Sequence, residues 1–187
     1  RWNAVRCSAA SDGHVESYFL KLNDPTGRRA LWLKATILVH AGGAPRVAEA
    51  WAIAFDREGR HAAAKQTVAL SDARFGDGGL DVTVAGLRIT PGRVRGEVAS
   101  RGTRIPFDLS FTMDAPPIVP LPSMRMYEGP LPSAKLVTPH PDARFSGWYE
   151  HDGERVEVEG WRGMQGHNWG ARHTELYAWG HCNQWEG

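Results

Sequence analysis

Short apolar runs separated by glycine- and proline-rich breaks, at roughly ten-residue spacing, set the pattern of this chain. The clearest run is Ile105 to Met113. Ile105, Phe107, Leu109, Phe111 and Met113 alternate with Asp108, Ser110 and Thr112, which predicts a strand with the first set turned inward. Val47 to Phe55 also has period two, with Val47, Glu49, Trp51, Ile53 and Phe55 on a wide side and four alanines on a narrow one. Ala30 to Val39 is too apolar on both faces for an exposed edge strand. Val15 to Leu22 is a short apolar run that contains one acid, Glu16. Further short strands are expected at Leu80 to Val84, Leu87 to Thr90, Val94 to Ser100, Lys135 to Val137, Phe145 to Glu150 and Arg155 to Trp161. Asn23 to Gly27, Gly76 to Gly79, Pro91-Gly92 and His151-Asp152-Gly153 supply turns. Ala62 to Leu70 is ambiguous and can begin as helix, and Arg1 to Asp12 carries little signal. Residues 115–132 hold six prolines, which excludes regular helix or a central strand, and their Leu, Ile, Met and Tyr content predicts an ordered crossing loop. Many short strands with few convincing helices predict an all-β fold, an antiparallel barrel or a strongly bent sandwich.

The stretch Trp161 to Trp185 breaks this even pattern. It holds Trp161, Trp169, Trp179 and Trp185 of the eight tryptophans, with His167, His173 and His181. Gly163, Gly166 and Gly170 predict a tight, irregular backbone in its first half. From Glu175 onward it reads as a strand. Tyr177, Trp179, His181, Asn183 and Trp185 share one face of that strand, and Leu176, Ala178, Gly180, Cys182 and Gln184 the other. An aromatic face with polar tips suits either a ligand cavity or a core strand whose tips find backbone partners. The small-residue face predicts a buried Cys182 thiol.

A length of 187 residues fits one domain with a proper core. The 22 basic and 21 acidic residues leave a net charge of +1, which gives no reason to expect nucleic acid as a partner. No apolar run is long enough to span a bilayer. No signal-peptide pattern is visible, so a cytoplasmic location is the default expectation. Two cysteines do not make a disulfide scaffold. His167, His173 and His181 match no metal-binding spacing, and neither metal nor cofactor is expected. His14, His40, His61 and His140 sit in polar or turn contexts and are expected to face water. Arg155, Glu157 and Glu159 alternate with Val156 and Val158 as a solvated strand face. Glu16 is either an edge residue in water or a lumen carboxylate paired with an arginine or histidine. His167 either braces its loop against Trp169 or contacts a ligand.

Three segments resemble the carotenoid 1,2-hydratase (hydroxyneurosporene synthase) and AttH-like group. They are VESYFLKLNDPTGRRALWLKATI from Val15, IPFDLSF from Ile105, and GWRGMQGHNWGARHTELYAWGHCN from Gly160. The glycine-bounded His-Asn-Trp-Gly followed by a Trp-rich strand is the most recognisable of these. The resemblance implies a lipocalin-like antiparallel β-barrel, related in architecture to tocopherol cyclase. It also implies that residues 1–187 form one such domain, similar to the N-terminal half of a two-domain protein, with a second lipocalin-like domain as partner. The group's chemistry, protonation of an isoprenoid alkene and capture of the cation, implies a hydrophobic small-molecule ligand. His167, Glu16, Glu175 and Asp152 are then the candidate acids, with His167 and Glu16 foremost, and Trp161, Trp169, Tyr177, Trp179, His181 and Asn183 the candidate ligand contacts. Three classes follow: an acid-promoted hydratase or cyclase, a non-catalytic carrier of a hydrophobic molecule, and a structural half-domain that packs on a second barrel.

Overall fold

The computed structural model describes residues 1–172 and 180–182. Among these, eleven antiparallel strands form one strongly curled sheet. In chain order they are β1 (His14–Asn23), β2 (Arg29–Val39), β3 (Val47–Asp56), β4 (Ala62–Ala69), β5 (Arg74–Phe75), β6 (Val82–Val84), β7 (Leu87–Thr90), β8 (Arg93–Ser100), β9 (Thr103–Phe111), β10 (Ala134–His151) and β11 (Glu154–Gly170). A single 3-10 turn, Leu70–Asp72, links β4 to β5, and, against the exclusion of helix from residues 115–132, a short helix α1 (Met124–Glu128) forms there in the proline-free span between Pro122 and Pro130. The spatial order is β4-β3-β2-β1-β11-β10-β9-β8-β7-β6-β5. Chain neighbours are therefore sheet neighbours everywhere except at one place, between β4 and β5. The last strand, β11, returns to pair with the first, and the ladder is open between β4 and β5. The curl brings β4 against β8 and β9, where the Lys65 amide donates to Ser100 Oγ at 3.0 Å. The fold is a half-barrel rather than a closed one.

The concave face holds the core: Leu20, Leu22, Leu31, Leu33, Ile89, Ile105, Phe107, Leu109, Phe145 and their neighbours are fully or almost fully buried. Period two places the inward residues, as the alternation in β9 predicts, but Met113 lies past the end of β9 and is 39% exposed. In β3 the narrow side faces in. Ala48, Ala50, Ala52 and Ala54 are all buried, while Phe55 is exposed and Trp51 and Ile53 are half-buried. A sharply curled sheet has little room on its inner side, and alanine fills that room without forcing the curl open. Ala62 to Ala69 is strand, not helix.

Three further expectations are overturned. The backbone from Trp161 to Gly170 is regular strand, in register with β1. Its glycines are there for close approach. A Cβ at Gly163 would collide with the Lys21 carbonyl, one at Gly166 with the ring of Phe19, and one at Gly170 with the Ser133 carbonyl. The two short strands expected between Lys135 and Glu150 are one strand of 18 residues. Register shifts between Val137 and His140 and between His140 and Ala143 let Pro139 and Pro141 sit in it without a ladder hydrogen bond. Cys182 is exposed rather than buried. The strand expected from Glu175, with Tyr177, Trp179, Asn183 and Trp185, lies outside the described residues apart from Gly180, His181 and Cys182.

Candidate functional site

Pairing of β1 with β11 decides which side chains meet. Glu16 lies opposite Trp169, Tyr18 opposite His167, and Leu20 opposite Gln165. All six point to the concave face near one end of the half-barrel. On its other side Glu16 pairs with Ile37 of β2.

Glu16 is the hub. It is completely buried, which settles the choice between water and lumen in favour of the lumen. Its Oε1 accepts from Tyr18 Oη at 2.8 Å, His167 Nε2 at 2.9 Å and the Arg6 amide at 2.9 Å. Its Oε2 accepts from the Cys7 amide at 2.8 Å, His14 Nε2 at 2.9 Å and the Arg6 amide at 3.0 Å. Burial alone would raise the pKa of this carboxyl. The hydrogen bonds from His14 and His167 and the charge of His167 outweigh burial and hold it at about 2. Glu16 is thus an ionised acceptor and a poor proton donor near neutral pH. Tyr18 is pushed the other way, upward, by burial and by the negative charge of Glu16.

His167 is also completely buried. Its Nδ1 lies 2.6 Å from the Trp2 carbonyl oxygen and its Nε2 faces Glu16. Both partners are acceptors only, so the ring satisfies both contacts only as the doubly protonated imidazolium. It stacks on Tyr18 with centroids 4.2 Å apart and leans on Trp169 at 4.8 Å. The Arg6 guanidinium covers Trp169 at 4.9 Å. Beside this group Gln165 and Asn3 exchange two side-chain hydrogen bonds of 3.0 Å. His14, expected in water, is buried against Glu16.

The N-terminal segment closes this end of the barrel. It supplies the Trp2 carbonyl, the Asn3 side chain and the Arg6 and Cys7 amides. Three of these four are backbone groups, so no residue type in the sequence marked them. Above it, Tyr127 of α1 packs on Trp2 at 5.3 Å and on Trp169 at 6.0 Å, and its hydroxyl accepts from the Leu121 amide. Next to the network is an apolar cleft of about 600 Å³, lined by Val5, Cys7, Ile37, Leu70, Ala73 and Phe75 among others. Ile37 is the cross-strand neighbour of Glu16, and Phe75 lies 5.8 Å from the ring of Tyr18.

The structure therefore brings together Glu16, His167 and Trp169. It sets Trp161 apart. Eight residues further back along β11, Trp161 packs edge-on against Tyr149 at 6.0 Å and borders a different cleft at the opposite end. His181 Nε2 donates to the Pro141 carbonyl at 2.9 Å. Tyr177, Trp179 and Asn183 lie outside the described residues. Among the described residues no group of three or more His, Cys, Asp or Glu is arranged to hold a metal, and no helix is long and apolar enough to cross a membrane.

A curled up-and-down sheet with its first and last strands paired and a capped end defines a lipocalin-like half-barrel. The likeness to the AttH-like group that the motifs suggest holds at the level of this fold. The chain is similar in structure to an AttH-like protein from Nitrosomonas europaea, with a TM-score of 0.64 at 17% identity over 90% of this chain and 55% of that one. It is also similar to CghA, solved with Sch210972, with a TM-score of 0.55 at 14% identity over 85% of this chain and 46% of that one. In sequence it is 25% identical over 175 residues to an uncharacterised protein found in two strains of Mycobacterium tuberculosis, covering 94% of this chain and 51% of the relative. The chain spans about half the length of these relatives. No protein-family model matches it.

Proposed function

We propose that this domain binds a hydrophobic, isoprenoid-like small molecule in the apolar cleft beside the Glu16–His167–Tyr18 network. The observation that carries this reading is the junction of the two. Ile37 and Phe75 line the cleft and at the same time contact or flank Glu16 and Tyr18. A mostly apolar space with a few convergent polar groups at its wall is the usual form of a small-molecule site. CghA, of the same fold, is solved with Sch210972.

In the catalytic form of the proposal, His167 is the acid and Glu16 its counter-ion. Retreat of the Trp2 carbonyl would free the Nδ1 proton for transfer to an alkene carbon, leaving a carbocation beside the faces of Tyr18 and Trp169. Water would then add its oxygen to the cation and return a proton to Nδ1. The second reading is a carrier without chemistry. It draws support from the saturation of the network, since both nitrogens of His167 and both oxygens of Glu16 already have protein partners. In either form we take the domain as the N-terminal half of a two-barrel protein, a reading supported by its spanning half of its relatives. A structural half-domain packing on that second barrel is the remaining alternative.

The test uses the full-length protein with geranylgeraniol as probe. Tryptophan fluorescence is expected to report saturable binding, weakened at least tenfold by Ala73→Trp, which fills the cleft. Unchanged affinity in Ala73→Trp would remove the cleft from the reading. Incorporation of labelled water by the wild type but not by His167→Gln selects the enzyme. Binding without incorporation selects the carrier, and absence of binding leaves the half-domain.

A further inference from the structure

The opposite end of the half-barrel carries a second cleft, about 910 Å³ in volume and polar where the first is apolar. It is built by the β1–β2 turn, the β3–β4 turn and the start of β11. Its lining includes five arginines and five carboxylates, with Trp161 and Val156 as its apolar floor. Taken as a sum these charges cancel, so net charge does not say what the cleft accepts. The hydrogen-bond inventory does.

Every carboxylate of the cleft is engaged. Asp24 accepts from the amide and hydroxyl of Thr26. Asp56 takes the Glu58 amide and Arg60. Glu154 takes a two-pronged contact from Arg29, Glu157 takes Arg155, and Glu58 lies 3.5 Å from Arg60. Three arginines are thereby used. Neither Arg28 nor Arg57 makes an ion pair among the described residues, although the amide and charge of Arg28 help to hold the Asp24 carboxyl low. Their backbones are locked side by side by a 2.8 Å hydrogen bond from the Arg57 amide to the Arg28 carbonyl.

A further unused donor lies beneath the cleft, against Trp161 of its floor. Tyr149 is completely buried, and its hydroxyl has no hydrogen-bond partner. The charged groups that act on that hydroxyl are Arg29, Asp24, Asp56 and Glu154, all of which line this cleft. A buried hydroxyl without a partner is uncommon and calls for an explanation. The carboxylates of the cleft have partners, and its spare groups are donors: two guanidinium forks at its wall, with the Tyr149 phenol buried beneath its floor. What fits spare donors is an acceptor with several oxygens.

We propose that this cleft is a binding site for a small oxyanion, a phosphate or carboxylate group borne by a small molecule, held by Arg28 and Arg57 with Tyr149 as the inner donor. The site is independent of the apolar cleft and of any chemistry there.

Isothermal titration of the full-length protein with inorganic phosphate, and separately with acetate, tests it and tells the two sources apart. Saturable binding of at least one is expected. The double variant Arg28→Gln/Arg57→Gln should weaken it at least tenfold, and Tyr149→Phe should weaken it by a smaller factor of about three, with the melting temperature of the double variant unchanged. Arg88→Gln/Arg101→Gln removes the same charge from exposed positions away from the cleft and should leave the affinity as it was. Absence of saturable heat with both anions overturns the proposal. Equal weakening in the Arg88/Arg101 control overturns it too, since binding would then be a diffuse charge effect.

Discussion

Glu16 concentrates more of this molecule's polar energetics than any other side chain described. Its folded pKa is held at about 2, below the ordinary 4.5. A carboxyl depressed in this way stabilises the fold above its unfolded pKa, and that contribution disappears as pH falls from about 4.5 through about 2. The difference corresponds to about 3 kcal/mol. Urea unfolding of the wild type at pH 7, 4.5 and 3 should show this loss, and Glu16→Gln, which has no titrating group there, should lack that component. At pH 7 Glu16→Gln should itself be less stable by about 3 kcal/mol, because it leaves the amides of Arg6 and Cys7 and two histidines facing a neutral amide. His167 provides an independent check. Its two acceptor contacts call for two ring protons, so nitrogen NMR of the folded protein should show both Nδ1 and Nε2 protonated, whereas a single protonated nitrogen would remove His167 as the proposed acid. In the sequence, Glu16 and His167 were visible as candidates because titratable groups among aromatics stand out. Their partners were not. Trp2, Arg6 and Cys7 contribute a carbonyl and two amides, and every residue except proline carries those groups alike.

At the scale of strands, the glycines of β11 are the least forgiving positions. Gly163 faces backbone, the Lys21 carbonyl, while Gly166 faces the tip of a side chain, Phe19. Gly163→Ala should therefore cost more than Gly166→Ala, on the order of 3 kcal/mol or more against about 1–2 kcal/mol, since only a side chain can swing away. Phe19→Leu should recover most of the Gly166→Ala loss and none of the Gly163→Ala loss in a denaturation series. The β10–β11 hairpin closes through Asp152 and Gly153, both with positive φ, at 53° and 76°. That geometry was legible as a Asp-Gly turn between two apolar runs. The strands on either side were legible only in part. Pro139 and Pro141 signal a break, and the register shifts that absorb them depend on the partner strand, which a local pattern does not contain. Glycine misled for a related reason. A turn and a close strand approach both demand it, and the sequence does not say which.

For the whole molecule, the pattern of short strands was enough for an all-β, barrel-like fold, because period two and turn chemistry are local. It was not enough to show where the sheet stays open or how the residues of one aromatic-rich stretch divide between two ends. Trp161 and Trp169 looked like parts of one site. Eight residues of strand hold them roughly 26 Å apart, at about 3.3 Å per residue. Ala52→Leu offers a test of the curl itself. The larger side chain on the concave face of β3 should lower the melting temperature, and hydrogen exchange should rise along β4 and β8, which the curl brings together.

The alanine stripe of β3 has one more consequence. Leu31, Leu33, Phe107 and Leu109 join it in one buried apolar cluster, so the described core sits between the end that holds Glu16 and the end that holds the β10–β11 hairpin. Like the web of a beam, that cluster braces two ends that carry different side chains.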